Sequence, residues 1–557
     1  MEVDDILDET GQFGLYQIIF FVLLFLIDVQ TSIFPMSFVF TAAELKYRCL
    51  IPQCEDPENA TYYDSSLTAF LPSDLNGQPS SCLRYAHLDQ NGTGSCSLDE
   101  FLTNSTERCS QLVFDTARTS IASEFDLLCD DNRWKLSAVG TSNNIGQFAG
   151  YLTFGVLSDK YGRKYTLIGA LLSSTLFGVL RSYAPNFTWF LIFEFFDAFV
   201  STGVFAATYI LAMEILGPDQ RLIGGAMLQC FYAVGQTLLG VVSWTVLSWR
   251  SLLRILYLPG LVFIAYIWLI PESLRWLIVH KRFDEAIKVL EKIGKTNRKP
   301  LSESTKHKLL VLKSKVHEGR GHEEAHKMLA STMSMGKEEE KHPILTSLKS
   351  KIIFTRVIVC SFCWMANIFV YAGLSLNSVF ISGHQHVNFI LTSLVEIPAN
   401  ILMYPLLNRC GRRGAQLGTL FLSGFSLLAF ALIPSGLGIV QLVLYLFGKV
   451  MITISFAVLY VYFSELFPTN ARNTLMATCA LISRIGSISA PLSRLLSPYI
   501  DPVIVFGVFS ILGGLSALLL PETRYSGLPD TLLDAENIGK KESEYRRPSM
   551  VEKESPI

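Results

Sequence analysis

Three short signatures, each charged or containing proline, occur twice in this chain at nearly the same separation. The pairs are Gly162-Arg163-Lys164 with Gly411-Arg412-Arg413, Glu214 to Arg221 with Glu465 to Arg472, and Pro271-Glu272-Ser273 with Pro521-Glu522-Thr523. The separations are 249, 251 and 250 residues. Unrelated loops have no physical reason to keep one register over such a distance. The sequence therefore predicts two copies of one structural half.

Composition places both halves in a lipid bilayer. Of the 557 residues, 50% are hydrophobic and only 17% are charged, and the mean hydropathy is +0.37. Apolar runs of about 18 to 25 residues, enough to cross about 30 Å of hydrocarbon, occur six times in each copy. We predict an all-α membrane protein with twelve transmembrane helices in two pseudo-symmetric six-helix bundles. The crossings are expected at 15–40, 136–157, 165–184, 188–213, 224–247 and 252–270, and at 353–381, 387–407, 415–434, 438–463, 474–497 and 502–520.

The apolar runs also set the predicted domain boundaries. One polar stretch interrupts the first bundle, a second separates the two bundles, and a third follows the second bundle. The expected domains are 1–270 for the first bundle, with a hydrophilic insertion at 41–133, then 271–352 for a linker with surface helices, 353–522 for the second bundle and 523–557 for a disordered tail.

The insertion has the features of a segment outside the cell. It contains sequons for N-glycosylation at Asn59, Asn91 and Asn104. It also contains an even number of cysteines, which predicts three disulfides with fifteen pairings that sequence does not distinguish. Disulfides persist in oxidising compartments, so we expect the insertion to face outward. The six cysteines are Cys49, Cys54, Cys82, Cys96, Cys109 and Cys129.

Basic residues mark the side opposite to the insertion. They fall in short loops between predicted crossings, and an excess of Lys and Arg holds such loops in the cytoplasm. Both termini are therefore expected in the cytoplasm. These basic residues are Lys160, Arg163, Lys164, Arg409, Arg412 and Arg413.

Several other functional classes find little support in the sequence. Histidines in the linker lack metal-ligand spacing, and no glycine-rich loop ends in Gly-Lys-Ser or Gly-Lys-Thr to bind a nucleotide. We expect no metal, no cofactor, no nucleic-acid partner and no enzymatic site. The alternative that the protein only binds a ligand and signals is not excluded by the sequence. In the tail, Ser549 follows two arginines as in kinase sites, and Ser555-Pro556-Ile557 is a weak ligand for a strand-adding scaffold domain. The oligomeric state is not predicted.

Several motifs, in the right order, carry a resemblance to a known family. The loop Asp159 to Lys164 is similar to the signature between helices 2 and 3 of the major facilitator superfamily. The resemblance implies a polyspecific plasma-membrane carrier that moves amphipathic organic ions by alternating access. The chain departs from the family pattern at Asn408, Leu274 and Ala372. Segments that resemble the organic cation, anion and carnitine transporter branch in particular are 4–14, 120–130, 271–276 and 465–469.

The repeated loop charges are candidates for a gate. A carboxylate at the cytoplasmic end of a helix can pair with a guanidinium of the neighbouring loop while the inner face is closed. Each exposed pair contributes about 1 kcal/mol or less, but several that break together can shift a two-state equilibrium about tenfold. The alternative is that these charges only fix topology. The predicted gating residues are Asp159, Arg163, Glu214, Arg221, Arg412, Glu465 and Arg472.

Ionisable residues deep in the predicted crossings are candidates for substrate contacts. Counting from the helix ends puts Asp28, Glu396, Lys449 and Arg484 near mid-membrane. A charge there costs about 2.5–3.5 kcal/mol on insertion scales, so each should face a cavity or a partner. Lys449 would add a second positive charge, and Asp28 or Glu396 could receive an ammonium group.

Arg484 decides the expected charge of the substrate. Anion and carnitine carriers of the resembled family have Arg at this place, and many cation carriers have Asp. A fixed guanidinium repels organic cations and can hold a carboxylate with two hydrogen bonds. The favoured substrate is therefore an organic anion or zwitterion that carries a carboxylate and resembles carnitine. The alternative is a cation site in which Glu396 or Asp28 neutralises Arg484.

Aromatic side chains should complete the pocket, because stacking and cation–π contacts recognise flat or charged groups without demanding one shape. Each of these side chains is alternatively a packing residue. Candidates are Trp364 and Tyr371 in helix 7 and Phe231 and Tyr232 in helix 5.

Overall fold

The computed structural model shows two helical bundles, a disulfide-linked insertion and a helical linker. Eight of its described helices are long and apolar enough to cross a membrane. The structure describes residues 6, 9–11, 13–57, 59–73, 79–88, 96–129, 132–217, 220–317, 349–381, 383–469, 471–524, 529 and 531–538.

Six helical segments form the first bundle. The segment α1 continues through a 3₁₀ turn, Phe34–Met36, into the short helix Phe38–Thr41, and α6 continues through Leu258–Ala265 and Tyr266–Leu269. The segments are α1 (Leu15–Ile33), α2 (Arg133–Tyr161), α3 (Arg163–Arg181), α4 (Phe187–Ile215), α5 (Arg221–Thr245) and α6 (Trp249–Tyr257).

The second bundle repeats this order. One long helix, Glu396–Leu432, is interrupted at Gly411 and supplies both α8 and α9. The segments are α7 (Lys351–Asn377, then Ser378–Phe380), α8 (Gln385–Leu394 with 396–410), α9 (412–432), α10 (Gly438–Leu466, after Ser435–Leu437), α11 (Arg472–Ser489, then Ala490–Leu496) and α12 (Pro502–Ala517).

The duplicated glycines have the same backbone role in both bundles. Gly162 separates α2 from α3 with φ +97°, and Gly411 separates α8 from α9 with φ +74°. Residues with a Cβ rarely adopt this region, so glycine allows the tight reversal. The glutamate of the third signature lies close to each glycine: Glu272 beside Gly162, and Glu522 beside Gly411. The two-copy prediction thus corresponds to two equivalent turns.

The insertion adds short strands to the predicted all-helical fold. Strand β1 (Tyr47–Cys49) pairs antiparallel with β4 (Leu112–Phe114), and β2 (Leu83–His87) pairs antiparallel with β3 (Phe101–Arg108). Short helices lie at Ser65–Phe70, Leu98–Glu100 and Ile121–Glu124. The disulfides found among the fifteen pairings are Cys49–Cys109, Cys54–Cys96 and Cys82–Cys129.

The insertion is attached to one end of the first bundle, which we call the insertion side. Glu124 accepts hydrogen bonds from Trp249 Nε1 at 2.7 Å and from Arg250 Nη2 at 2.6 Å. Of the predicted glycosylation sites, Asn59 and Asn104 are exposed. Asn91 lies outside the described residues.

The opposite end of the bundles, which we call the linker side, carries the helices Leu274–Val279, Phe283–Thr296 and Glu303–His317. Surface helices were predicted in this segment, and residues 318–348 lie outside the description.

The predicted disordered tail requires a correction over residues 531–538. Leu532–Asn537 is a helix whose carbonyl at Ala535 accepts a hydrogen bond from Arg356 Nη1 at 2.5 Å. The buried guanidinium of Arg356 thus anchors the start of the tail to α7. Residues 539–557, which include the predicted kinase and scaffold-domain motifs, lie outside the description.

Candidate substrate-binding cavity

A cavity of about 170 Å³ lies between the two bundles. Helices α1, α2, α4 and α5 line it on one side, and α7, α10 and α11 on the other. Its wall combines aromatic rings with amides and hydroxyls, a surface suited to amphipathic organic molecules. The aromatic lining includes Tyr151, Tyr232, Tyr371, Phe456 and Tyr460.

Contacts between the bundles close the insertion side of this cavity. Thr141 Oγ1 on α2 donates to the carbonyl of Ile488 on α11 at 3.4 Å. The ring of His386 on α8 stacks on Phe40, with centroids 5.3 Å apart, and faces Trp244 of α5 at 6.5 Å. These contacts join residues of different bundles, so they must separate if the cavity is to open on this side.

The linker-side parts of α2 and α11 carry exposed polar side chains. The polar side chains of Asn473 and Thr478 on α11 are exposed, as is Thr153 on α2. Further along the same two helices, Gly140 and Pro491 are packed together at the insertion side. Helices α2 and α11 thus touch at the insertion side, while polar side chains on their linker-side parts stay exposed.

Arg484 lines the cavity from α11 and is half-buried. Its Cζ lies 4.1 Å from the ring centroid of Tyr151 on α2. Within the described part of the chain, its guanidinium forms no ion pair and donates no hydrogen bond. The neutralisation of Arg484 by Glu396 or Asp28, considered above, does not occur in this conformation. Its hydrogen-bond donors are available to a ligand.

Lys449 and Glu396 neutralise each other behind the cavity wall. Lys449 Nζ lies 2.8 Å from Glu396 Oε1, and both side chains are almost fully buried. Tyr371, which lines the cavity, donates its hydroxyl to Glu396 at 2.9 Å. The Lys449 ammonium lies 3.5 Å from the ring centroid of Tyr371 and donates to Ser375 Oγ at 2.7 Å. Tyr371 therefore separates this pair from the cavity.

Asp28 is a buried carboxylate on α1. Its side chain is only 2% exposed, and its Oδ2 has no hydrogen-bond partner among the described residues. Thr31 and Pro35, which follow it by three and seven positions, line the cavity. Residues at this spacing share one helix face. Asp28 thus lies on the cavity face of α1, one turn from the lining.

The predicted aromatic residues are divided between the cavity and the core. Tyr232 lines the cavity. Trp364 is buried against Tyr460, with ring centroids 4.9 Å apart, and Phe231 packs edge-on against Phe25 at 5.0 Å. Trp364 and Phe231 are not in the cavity lining. Periodicity indicates that a residue is buried but not whether a ring or a cavity lies beside it.

A second buried ion cluster lies within the first bundle. Arg181 contacts Glu194 and lies 3.5 Å from Asp197 Oδ2, and all three side chains are at most 1% exposed. The cluster is linked to the cavity wall: Asn143 donates to Glu194, and Gln147, which lines the cavity, donates to Asn143, each at 2.7 Å. These three charges form a mutual ion cluster and do not line the cavity entrance.

The predicted gating residues form two similar clusters on the linker side. In the first bundle, Arg163 contacts Asp159 at 2.9 Å and Glu214 at 3.8 Å. In the second bundle, Arg412 contacts Glu465 at 3.0 Å. Each pair joins residues of one bundle. Arg221 Nε and Arg472 Nε donate to backbone carbonyls of Met213 and Phe467, each at 3.4 Å.

Sequence reasoning missed the role of the repeated glutamate. Glu272 Oε1 accepts hydrogen bonds from the backbone N–H groups of Arg163 at 2.9 Å and Lys164 at 3.1 Å. Glu522 accepts the corresponding hydrogen bonds through its two oxygens, from Arg412 N–H to Oε1 at 3.0 Å and from Arg413 N–H to Oε2 at 3.1 Å. A carboxylate at a helix N-terminus satisfies donors that have no partner within the helix. The sequence did contain a signal for this role, because the glutamate is repeated at nearly the same separation as the basic loop.

Comparison with known proteins agrees with this architecture. Residues 95–530 match the family described as "Sugar (and other) transporter". The "Organic cation transporter protein" of Drosophila melanogaster is 33% identical over 97% of this chain and 96% of its own length. The chain belongs to the organic ion transporter branch of the major facilitator superfamily. Human "Solute carrier family 22 member 13", another member, is 30% identical over 95% of this chain and 92% of its own length.

Solved structures support the same fold. The inward open xylose transporter XylE from E. coli aligns with a TM-score of 0.53 at 17% identity, over 76% of this chain and 91% of its own. A partially occluded form of XylE aligns with a TM-score of 0.52 at 14% identity, over 88% of this chain and 97% of its own. Membership of the superfamily identifies this chain as a multi-pass membrane transporter of small organic solutes rather than an enzyme.

Proposed function

We propose that this transporter carries amphipathic organic anions or zwitterions across the plasma membrane by alternating access. The observation that carries this proposal is the position of Arg484, which lines the cavity and has no acidic partner among the described residues. A substrate carboxylate can accept two N–H groups from such a guanidinium. Lys449 and Glu396 cancel each other, so Arg484 is the charged side chain that lines the described cavity, while Asp28 lies one turn from the lining.

Asp28 is proposed to receive the positive end of a zwitterion. Its Oδ2 is buried without a hydrogen-bond partner in the described chain, which is unfavourable for a carboxylate unless a cation or proton compensates it. Tyr371 and Tyr232 are proposed to contact the apolar body of the substrate. Lys449 and Glu396 are proposed to act through Tyr371 rather than by direct contact.

For the transport cycle, we propose that the insertion side faces outward and that both termini lie in the cytoplasm. We propose that the conformation described here is open to the cytoplasm, because contacts between the bundles close its insertion side. Opening outward requires the contacts around His386 and Thr141 to separate while the two bundles approach each other at the linker side. The pairs of Arg163 and Arg412 are formed within single bundles in this conformation, so opening of the linker side does not require them to separate as expected. We propose a gating role for these residues only through contacts between the bundles in the outward-open state.

Uptake of three probes that share one ring tests the proposed substrate class. Labelled benzoate, phenylalanine and phenyltrimethylammonium would be given to cells that express the full chain. We expect uptake of the anion or the zwitterion, and a fall of about 10- to 150-fold for Arg484→Asp, because charge-assisted hydrogen bonds contribute about 1.5–3 kcal/mol. Arg484→Lys should keep part of the uptake, and Arg282→Asp on the linker surface is the matched control.

Surface biotinylation would correct each rate for the amount of protein at the cell surface. Benzoate and phenylalanine uptake that is unchanged in Arg484→Asp would refute the proposal.

A second candidate function is transport of organic cations. The 33% identical relative is named an organic cation transporter protein, and Asp28 offers an uncompensated carboxylate near the cavity. In that case phenyltrimethylammonium would be the accumulated probe, and Asp28→Asn would abolish its uptake while Arg484→Asp would not.

A further inference from the structure

We propose that Tyr151 is a positioning residue that makes the Arg484 guanidinium selective for oxyanions. This inference rests on the proposed function, because it assumes that Arg484 binds the negatively charged group of the substrate. Tyr151 lies on α2 of the first bundle and Arg484 on α11 of the second, and both line the cavity. Their separation is 4.1 Å from Cζ to ring centroid.

The contact holds the cation without using its hydrogen-bond donors. A guanidinium is planar, and its five N–H groups point outward in the plane. When its face lies over an aromatic ring, the ring's negative face compensates part of the charge while the donors at the edge stay free. The Arg484 side chain makes no hydrogen bond within the described chain, which agrees with this arrangement.

A carboxylate or sulfonate can therefore bind edge-on to a guanidinium that is already oriented. The flexible Arg side chain would otherwise lose conformational freedom when the substrate binds, and this loss would weaken binding. Tyr151 reduces that loss because it orients the group before binding. The expected specificity is for oxyanions that accept two hydrogen bonds.

The experiment measures binding to the purified full chain with three probes: benzoate, benzenesulfonate and phenyltrimethylammonium. Tyr151→Leu removes the aromatic face, and we expect the dissociation constants of both anions to rise about 5- to 30-fold. Tyr151→Phe keeps the face and should restore anion affinity to within about threefold of the original. The affinity for phenyltrimethylammonium should not fall in either variant. A ring that only filled space would affect all three probes alike.

The matched control is Tyr183→Leu. Arg254 lies 4.4 Å from the Tyr183 ring centroid, so this variant breaks a similar pair outside the cavity lining. It should leave the affinities for all three probes unchanged. If Tyr151→Leu does not fold, Tyr151→Met provides a second side chain without a ring.

A double-mutant cycle separates this inference from the proposed function. In the Arg484→Gln background, Tyr151→Leu should have no further effect on benzoate affinity, because its effect acts through the guanidinium. If Arg484→Gln itself leaves benzoate affinity unchanged, the proposed function fails. If Arg484→Gln weakens binding but Tyr151→Leu and Tyr151→Met bind like the original protein, the positioning role is overturned and the proposed function stands.

Discussion

The buried pair of Lys449 and Glu396 gives a prediction whose size follows from its surroundings. Glu396→Gln leaves an ammonium that is 0% exposed, and breaking a buried pair in this way costs about 3–5 kcal/mol. Lys449 keeps its hydrogen bond to Ser375 at 2.7 Å and its position 3.5 Å from the Tyr371 ring centroid. These remaining contacts offset part of the loss, so we expect about 3 kcal/mol of destabilisation.

The double variant Glu396→Gln/Lys449→Met should recover most of this stability, since it removes both charges together. Thermal unfolding of the detergent-solubilised full chain measures the effect. We expect the melting temperature of the double variant to lie between those of the original protein and the single variant. Glu285→Gln, which breaks the exposed pair with Arg282 on the linker surface, is the control and should change little. Equal melting temperatures for Glu396→Gln and the original protein would show that the charges are not paired as described.

Three further predictions concern other parts of the fold. Gly162→Ala should destabilise the chain by about 1–2 kcal/mol, because a Cβ is unfavourable at φ +97°. Gly155→Ala is the control and should be neutral or stabilising, because a Cβ at this position has no neighbour within 4 Å. The melting temperatures of the two variants measure the difference. Arg181→Met should lower the yield of folded protein in size-exclusion chromatography, since it leaves two buried carboxylates without their guanidinium, and a normal yield would contradict the cluster. Replacing the Cys54–Cys96 disulfide with two serines should destabilise the insertion by about 3–4 kcal/mol, seen as faster proteolysis of that segment, and an unchanged cleavage rate would contradict it.

The fold was largely predictable because its signals are local or repeated. A crossing is a property of one continuous apolar run, and the two-copy architecture is visible as a constant offset between signatures. The glycine at each linker-side turn and the basic residues after it could also be found without a structure. By contrast, the helix at Leu532–Asn537 was missed, because it depends on contact with Arg356 from a distant part of the chain.

The candidate site was only partly predictable. Sequence reasoning selected Arg484, Tyr371 and Tyr232, which line the cavity. It did not select Tyr151, since a tyrosine in a polar helix carries no sign of the cation it will meet. It placed Trp364 near the substrate, but the ring packs against Tyr460 instead, because burial alone looks the same in a core and in a cavity wall.

The sequence by itself determined that the chain is a duplicated membrane bundle, that one insertion carries three disulfides, and that a few charges lie deep in the membrane. Only the tertiary structure decided which cysteines are joined, that Lys449 is neutralised by Glu396, and that Arg484 has an aromatic ring rather than a carboxylate beside it. The physical reason is that hydrophobic length and register are encoded along the chain. The energy of a buried charge depends on which side chains the fold brings within a few ångströms of it.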